Sequence, residues 1–276
     1  AELINNLKYK LGKKIALTIT SFNEYVRCFP NSEITYINSK DDNYRLSLNK
    51  LKETLNKVDT LIVISPDNPS GSHLKYGEVI ELLDMAKEMD KQVIFDESFI
   101  DFANDSYTLI NDDILKKYPN LIVIKSISKS YGVPGLRLGV LASGNHEYLD
   151  IINRNMPVWN INSFAEYFLQ IFLIYKKDYV YGCSKIKEER NRFYNELIKI
   201  SELDVYDSEA NYFMIKLNKS TANEIAEYLL DNNKILIKVL NGKNGFDDKE
   251  YIRIAVRTKE ENDYFIQSIK EYYDKK

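Results

Sequence analysis

The sequence predicts an α/β fold, with a mostly parallel central sheet that has helices on both faces and a smaller α/β unit at the C-terminal end. Continuous apolar runs such as Thr60–Ser65 and Leu121–Ser126 alternate with helical patterns along the first half of the chain. Such runs are typical of parallel strands that are buried on both faces. A mainly helical stretch, from about residue 147 to 199, separates these strands from a second, shorter set. We therefore expect a large domain over residues 1–174 and a small domain over residues 175–276.

The elements of the large domain follow from hydrophobic periodicity. The opening stretch, residues 1–12, is amphipathic and predicts a helix. Apolar runs predict strands at residues 13–20, 33–38, 60–65, 92–97, 121–126 and 138–143. Helical periodicity predicts helices at residues 46–57 and 77–90. Ligands of such sheets bind beyond the carboxyl ends of the strands, so the residues that follow each strand are the candidates for a site.

The second half is predicted to be helical first and mixed afterwards. Pro157 interrupts the helical stretch. The nearest approach to a membrane span, Phe164–Tyr175, is short and carries Glu166 and Gln170, which favours a helix buried within protein. The small domain is predicted to have strands at residues 209–217, 235–240 and 251–257, and helices at residues 221–232 and from 259 onward.

Composition argues against several classes of protein. The chain has 276 residues, of which 44% are hydrophobic and 29% charged, so it can bury a substantial core. A net charge of −3 argues against a nucleic-acid surface, which normally carries a basic stripe. Cys28 and Cys183 are far apart without metal-like spacing, so we expect two thiols in a reducing cytosol and no metal site. The expected protein is cytoplasmic and binds neither nucleic acid nor a membrane.

The most informative run is Ile124–Gly139, where a lysine follows a strand-like apolar stretch. Lys129 in this position can form a Schiff base with an aldehyde cofactor. Ser126, three residues earlier, offers a hydroxyl, and Arg137, eight residues later, offers a guanidinium fork that suits a phosphate. An isolated lysine is more often an exposed loop residue, but these neighbours favour a cofactor site.

Three residues near other strand ends extend this interpretation. Asp96 ends a buried strand, where a carboxylate needs a partner; a protonated pyridine nitrogen fits, as does a structural salt bridge or helix cap. Asn68, in the turn Ser65–Gly71, can donate its amide to a phenolate oxygen or simply form an Asn-Pro turn. Phe22 can stack on a ring or belong to the core. Together with Lys129, these residues predict a pyridoxal-phosphate site.

Two arginines close to the C-terminal end are candidates for substrate binding. Arg253 and Arg257 are separated by an even number of residues along a predicted strand, so their side chains should share one face. Such a pair can hold an anionic substrate. A solvated strand face with surface ion pairs is an equal alternative.

On these residues, the chain resembles the fold type I pyridoxal-phosphate enzymes of the class I/II aminotransferase group. The motifs SPDNPSG, VIFDES and SISKSYGVPGLRLG agree with the family in order and spacing, and the likeness runs over almost the full chain. The branch that it resembles most holds histidinol-phosphate aminotransferases and threonine-phosphate decarboxylases. The resemblance implies the fold type I architecture, pyridoxal 5′-phosphate as the cofactor, and a homodimer with its sites at the subunit interface.

The resemblance also implies a role for each matched residue. Lys129 would carry the cofactor, Asp96 would pair with the pyridine nitrogen, and Asn68 would contact the ring oxygen. The other implied roles are phosphate binding by Ser126 and Arg137, ring stacking by Phe22, binding of the substrate carboxylate by Arg253, and a substrate-side position for Asn211.

Three features depart from the usual pattern of the family. Phe99 stands three residues after the ring aspartate, where aminotransferases usually have a tyrosine that shares the ring oxygen with the asparagine. Thr20 replaces a proline, and the N-terminal arm is missing, since Ala1–Glu2 resembles the tail of the family's glycine-rich, phosphate-binding turn. Phe99, the extra Arg257 and the segment Pro157–Glu166 resemble the decarboxylase side of the branch.

The expected function is that of an aminotransferase for an acidic or phosphorylated amino acid or amine, with Lys129 as the catalytic residue. An alternative on the same cofactor is decarboxylation of a phosphorylated amino acid. The motifs also resemble the aminotransferase half of nucleotidyltransferase–aminotransferase fusions, of which this chain would be the C-terminal piece. A non-enzymatic alternative is a catalytically silent dimerisation module.

Overall fold

The computed structural model describes residues 2–9, 11–19, 22–29, 32–243, 245–246 and 250–276. Within them, the first sheet consists of β1 Lys14–Thr18, β2 Glu33–Ile37, β3 Thr60–Ile64, β4 Gln92–Asp96, β5 Leu121–Ser126 and β6 Gly139–Ser143. The strand order is β2-β1-β3-β4-β5-β6, and each pairing is parallel except that of β6 with β5. The predicted, mostly parallel sheet is therefore confirmed. Ala1 and Thr20 lie outside the described residues.

Helices cover both faces of this sheet because its inner strands are buried on both sides. Phe95 of β4 packs in one apolar core, and its neighbour Ile94 packs in the other, as the two-residue period of a strand requires. The helices that follow or precede these strands are α1 Glu2–Asn6, α2 Asn23–Cys28, α3 Leu48–Leu55, α4 Tyr76–Glu88, α5 Asp112–Lys117 and α6 His146–Arg154. Residues of α3, α4 and α5 pack in the first core, and residues of α1, α2 and α6 pack in the second.

The second sheet is antiparallel and has its own core. Its strands are β7 Leu203–Val205, β8 Tyr212–Leu217, β9 Lys238–Val239 and β10 Tyr251–Ala255, in the order β7-β8-β10-β9. Three helices pack on it: α8 Lys176–Leu197, α9 Ala222–Asn233 and α10 Lys259–Asp274. Since α8 begins at Lys176 and contributes to this core, the sheet is compatible with a small domain that begins near residue 175, and that boundary stays a prediction.

Helix α7 (Ser163–Ile171) and its flanking residues expose most of their apolar side chains. The exposed fraction is 77% for Phe164, 76% for Leu173 and 93% for Trp159. The prediction of a buried helix here was wrong for the single chain, because periodicity reveals an apolar face but not what covers it. Among the residues that the structure describes, no helix has both the length and the apolar character needed to cross a bilayer.

Short elements account for the other differences from the predicted fold. Helices α2 and α5 and strand β7 were not predicted, since six residues or fewer carry little periodicity. Strand β10 ends at Ala255, so the prediction that Arg257 shares a strand face with Arg253 was wrong. The backbone instead turns into α10, whose first turn is capped by the Thr258 side chain.

A buried arginine joins the two sheets. Arg190 of α8 is 2% exposed and donates to the carbonyl oxygens of Phe102 at 2.6 Å and Ala210 at 3.3 Å. Its other amino group donates to Asn104 Oδ1 at 3.1 Å and Glu209 Oε2 at 3.0 Å. Phe102 and Asn104 follow β4, whereas Glu209 and Ala210 lead into β8, so one guanidinium fixes the approach of the two units.

We expect Arg190→Met to lower the free energy of unfolding by about 2 to 4 kcal/mol, because it leaves buried carbonyl groups and a carboxylate without their donor. Urea titration followed by circular dichroism measures the loss. Lys185→Met on the same helix, where the exposed Lys185 pairs with Glu188 and lies over the Tyr181 ring at the surface, is the control. Equal unfolding midpoints for the two variants would contradict the assignment of Arg190.

Candidate active site

An open cavity of about 290 Å³ lies at the carboxyl-terminal edge of the first sheet. The cavity forms there because β3, β4 and β5 run parallel and end side by side, which brings their following turns together. The predicted cofactor residues all line it: Phe22, Asn68, Asp96, Ser126, Lys129 and Arg137.

Asp96 is the last residue of β4, at this edge of the sheet, and is 6% exposed. Ser98 donates to its Oδ1 from the hydroxyl at 2.5 Å and from the backbone nitrogen at 3.0 Å, and the Tyr25 hydroxyl donates to Oδ2 at 2.8 Å. Burial raises the pKa of Asp96, and the hydrogen bonds from Ser98 and Tyr25 offset only part of that effect. These donors are uncharged, so the carboxylate keeps its need for a cation such as a protonated ring nitrogen.

Lys129 lies in the loop after β5, with its amine 5.8 Å from the centre of the Phe99 ring. Burial lowers the pKa of Lys129, and the positive charges of Arg253 and Arg137 lower it further. A larger fraction of the amine is then unprotonated at neutral pH, which is the form that attacks an aldehyde. The electrostatics therefore suit a lysine that bonds covalently to a carbonyl compound.

Hydroxyl and guanidinium donors surround the side of the cavity next to β5. Ser126 and Ser128 both line it, and the backbone nitrogen of Ser126 donates to Ser98 Oγ at 2.9 Å. Arg137 has a left-handed backbone, with φ of 58° and ψ of 39°, and donates to the Pro134 carbonyl oxygen at 3.1 Å. A non-glycine residue in this region carries a conformational cost, so the surrounding loop must impose it. Such a group of donors suits a phosphate.

Asn68 connects the cavity with the second sheet. Arg253 of β10 donates to Asn68 Oδ1 at 2.6 Å, and its guanidinium lies 4.9 Å from the centre of the Tyr212 ring. Because the amide oxygen accepts this bond, the amide nitrogen of Asn68 is left to donate to a ligand. Gly71 in the same turn has a φ of 75°, and a side chain there would collide with Ser208, which explains the glycine.

The other predicted residues differ in position. Phe22 precedes α2, is 40% exposed and lines the cavity. Asn211 accepts a backbone hydrogen bond from Val256 at 2.9 Å, and its side chain is not part of the cavity lining given by the described residues. Arg257 is also outside the cavity: its guanidinium is 64% exposed and pairs with Glu261 at 2.8 Å.

Two residues around Asp96 were missed by sequence reasoning. Tyr25 is fully buried, and Ser98 binds the carboxylate twice. A signal for Tyr25 was present, since it follows Phe22 by three residues and so lies one helical turn from it. Nothing in the sequence shows that a tyrosine from α2 reaches the end of β4, which is a tertiary contact.

The site thus offers an amine, a buried carboxylate, a cluster of phosphate donors, an amide and an aromatic face. Pyridoxal phosphate is the cofactor with the matching groups, namely an aldehyde, a ring nitrogen, a phosphate, a phenolic oxygen and a flat ring. Asp96 gives the strongest support for this fit, because its buried carboxylate receives hydrogen bonds but no cation from the described residues, and a buried carboxylate is costly without one. The fold and the site define a fold type I pyridoxal-phosphate enzyme.

The chain belongs to the family of class I and II aminotransferases, whose model matches residues 2–269. It is 34% identical to the L-serine phosphate decarboxylase of Campylobacter jejuni, over 94% of this chain and 68% of that protein. It is 35% identical to the histidinol-phosphate aminotransferase of Clostridium novyi, over 86% of this chain and 63% of that protein. The solved structure of a decarboxylase from Sulfurospirillum multivorans superposes with a TM-score of 0.86 and 31% identity, covering 98% of this chain and 79% of that one. The predicted family, fold and cofactor are confirmed.

Proposed function

We propose that the chain catalyses the pyridoxal-phosphate-dependent decarboxylation of a phosphorylated amino acid. The observation that carries this proposal is Phe99, which presents an apolar ring to the Lys129 amine where aminotransferases usually have a tyrosine. The similarity to an L-serine phosphate decarboxylase supports the same choice. This reaction was the alternative to the transamination first expected from the sequence.

The apolar ring favours loss of a carboxylate for a physical reason. Phe99 is 8% exposed and packs edge-on against Tyr212 at 5.1 Å, so the surface beside the Lys129 amine is apolar. An ionised carboxylate is destabilised beside such a surface, whereas the carbon dioxide that it becomes is neutral. Breaking the bond from Cα to the carboxylate therefore relieves a desolvation cost that breaking the Cα–H bond does not.

Each residue of the site has a task in this proposal. Pyridoxal phosphate, when bound, supplies an electron sink for the pair that is released at Cα. Asp96 holds the proton on the ring nitrogen, and Asn68 donates its amide to the ring oxygen. The Lys129 amine would return a proton to Cα as a general acid. Ser126 and Arg137 bind the cofactor phosphate.

Transamination is the second candidate. Arg253 is hydrogen-bonded to Asn68, which lines the cavity, and its guanidinium can bind an α-carboxylate. If Arg253 binds that carboxylate, the carboxylate is retained and the Cα–H bond is the one that breaks. If Arg253 binds the phosphate of the substrate, the carboxylate is free to leave. The anionic group that Arg253 binds thus separates the two reactions.

A product assay tests the proposal. We expect O-phosphoserine or O-phosphothreonine to release carbon dioxide without a keto-acid acceptor, and Phe99→Tyr to raise the ratio of transamination to decarboxylation by about threefold or more, since a hydroxyl restores a polar partner there. Released carbon dioxide and amine are measured against the glutamate formed from 2-oxoglutarate. Glutamate formed without carbon dioxide, from either phosphorylated amino acid or from histidinol phosphate, would identify an aminotransferase instead.

The homodimer expected from the family accounts for the exposed apolar residues around α7. Trp159, Phe164 and Leu173 would otherwise present a large apolar surface to water. The homodimer stays a prediction, as does the cytoplasmic location.

Both cysteines, Cys28 and Cys183, are buried free thiols, as expected in a reducing compartment.

A further inference from the structure

We propose that Asp101 is a positioning residue that fixes the loop carrying Lys129, an inference that rests on the proposed cofactor chemistry. Asp101 lies in the short turn Ile100–Phe102 after β4. Its Oδ1 accepts from Lys125 Nζ at 2.8 Å, and its Oδ2 accepts from Ser130 Oγ at 2.7 Å. Lys125 precedes Lys129 by four residues and Ser130 follows it directly, so a single carboxylate holds the chain on both sides of the reactive lysine.

The ion pair between Lys125 and Asp101 lies in a buried part of the molecule. Lys125 is 8% exposed, and Glu97 approaches its amine at 3.7 Å on the other side. Glu97 is itself held by Thr108 Oγ1 at 2.6 Å and by the backbone nitrogen of Leu109 at 2.9 Å. Burial alone would lower the pKa of Lys125, but Asp101 and Glu97 outweigh it and raise that pKa, so the amine stays charged and bonded.

Such an arrangement is better explained by positioning than by stability. A buried ion pair contributes little net stability, because the cost of removing both charges from water offsets their attraction. Its directional hydrogen bonds, however, fix the geometry of the groups that it joins. Here those groups are β5 and the first residue after Lys129, which is the segment that sets the position of the reactive amine.

Asp101 lies next to the contact that joins the two sheets. Phe102, next to Asp101, accepts a hydrogen bond from the buried Arg190 at 2.6 Å. On the loop side, Tyr131 stacks on Tyr179 of α8, with ring centres 4.4 Å apart and an angle of 20° between the planes. Gly132 then follows with a φ of 67°, a backbone conformation that favours glycine.

The consequence is a selective effect on turnover. Loss of the Asp101 tether lets the Lys129 amine vary in position, and a misplacement of about 1 Å is enough to slow a reaction by about 100-fold. Substrate binding through Arg253 does not pass through Asp101, because Arg253 bonds to Asn68 on another element. We therefore expect a fall in kcat with an almost unchanged KM.

Ser130→Ala and Asp101→Asn in the cofactor-loaded enzyme test this proposal. We expect Asp101→Asn to lower kcat by about 10- to 100-fold, with KM within threefold of the parent. Ser130→Ala should show a smaller effect in the same direction. Without substrate, the visible circular dichroism of the bound cofactor should weaken in both variants, because it reports how rigidly the lysine holds the ring. The control is Ser184→Ala. It removes an exposed hydrogen bond on α8, from the Ser184 hydroxyl to the Tyr181 carbonyl oxygen.

Unchanged kcat and dichroism in both variants would overturn the proposal, as would a kcat loss in Ser130→Ala that is matched by a loss of folded protein. If Asp101→Asn fails to fold because Lys125 is left without its partner, Ser130→Ala decides alone, since it leaves the Lys125–Asp101 pair intact. The dichroism does not depend on which product is formed. Failure of the decarboxylation assay is therefore distinguishable from failure of the positioning role.

Discussion

Lys129→Ala is expected to lower kcat by at least about 1000-fold, the largest effect of any single change in this chain. In the proposed mechanism, the variant lacks both the amine that bonds to the cofactor and the acid–base group that serves Cα. The visible absorbance band of the bound cofactor should disappear at the same time. Folding should be preserved, because the amine lies over the Phe99 ring and lines an open cavity.

Two controls make the Lys129 result specific. Lys199→Ala removes an amine that pairs with Glu196 on the surface, and it should retain full activity and the visible band. A small primary amine added to Lys129→Ala should restore part of the turnover, since the missing group is a general acid–base catalyst. A Lys129→Ala enzyme that keeps the band and the parent's kcat would exclude Lys129 as the catalytic residue.

Asp96→Asn is expected to have the second largest effect, a loss of about 100-fold or more in kcat. The uncharged amide cannot stabilise a protonated ring nitrogen, so the electron sink is weakened. Cofactor affinity, measured by equilibrium dialysis, should fall as well. Asp113→Asn, at an exposed position in α5, is the matched control. A normal turnover in Asp96→Asn would show that the ring nitrogen does not depend on this carboxylate.

Tyr25→Phe provides a graded test of the same contact. It removes one of the three hydrogen bonds to Asp96 without changing the side-chain shape. A hydrogen bond to a charged group contributes about 1.5 kcal/mol, so we expect cofactor affinity to change by about tenfold. An effect as large as that of Asp96→Asn would mean that Tyr25 acts on the fold and not through the carboxylate.

The raised pKa of Asp96 also predicts how stability depends on pH in the protein stripped of cofactor. Folding disfavours the ionised carboxylate, so its stabilising contribution is complete at low pH and is lost as the pH rises through the raised pKa. Asp96→Asn lacks this group. The cofactor-free variant should therefore gain thermal stability relative to the cofactor-free parent as the pH is raised from 4 toward 8.

Local patterns were sufficient for the first sheet and for the predicted residues that line the cavity at its edge. Buried parallel strands have continuous apolar runs in their sequence. Polar residues at the carboxyl ends of these strands all lie at the same edge of the sheet. For this reason the sequence at or just after each strand end was enough to predict that three residues lie at this edge: Asp96, Asn68 and Lys129. Arg257 was not, because a period of two holds only while the strand continues, and β10 ends at Ala255.

The sequence by itself determined the order of the elements, the mostly parallel sheet and the placement of a lysine at its carboxyl-terminal edge, since each depends on residues close together along the chain. Only the tertiary structure decided which polar groups meet. Tyr25 reaches Asp96, Arg253 bonds to Asn68, and Asp101 ties both sides of the Lys129 loop. These contacts join residues that are far apart in sequence, and no periodicity records them because their partners are brought together by the packing of separate elements.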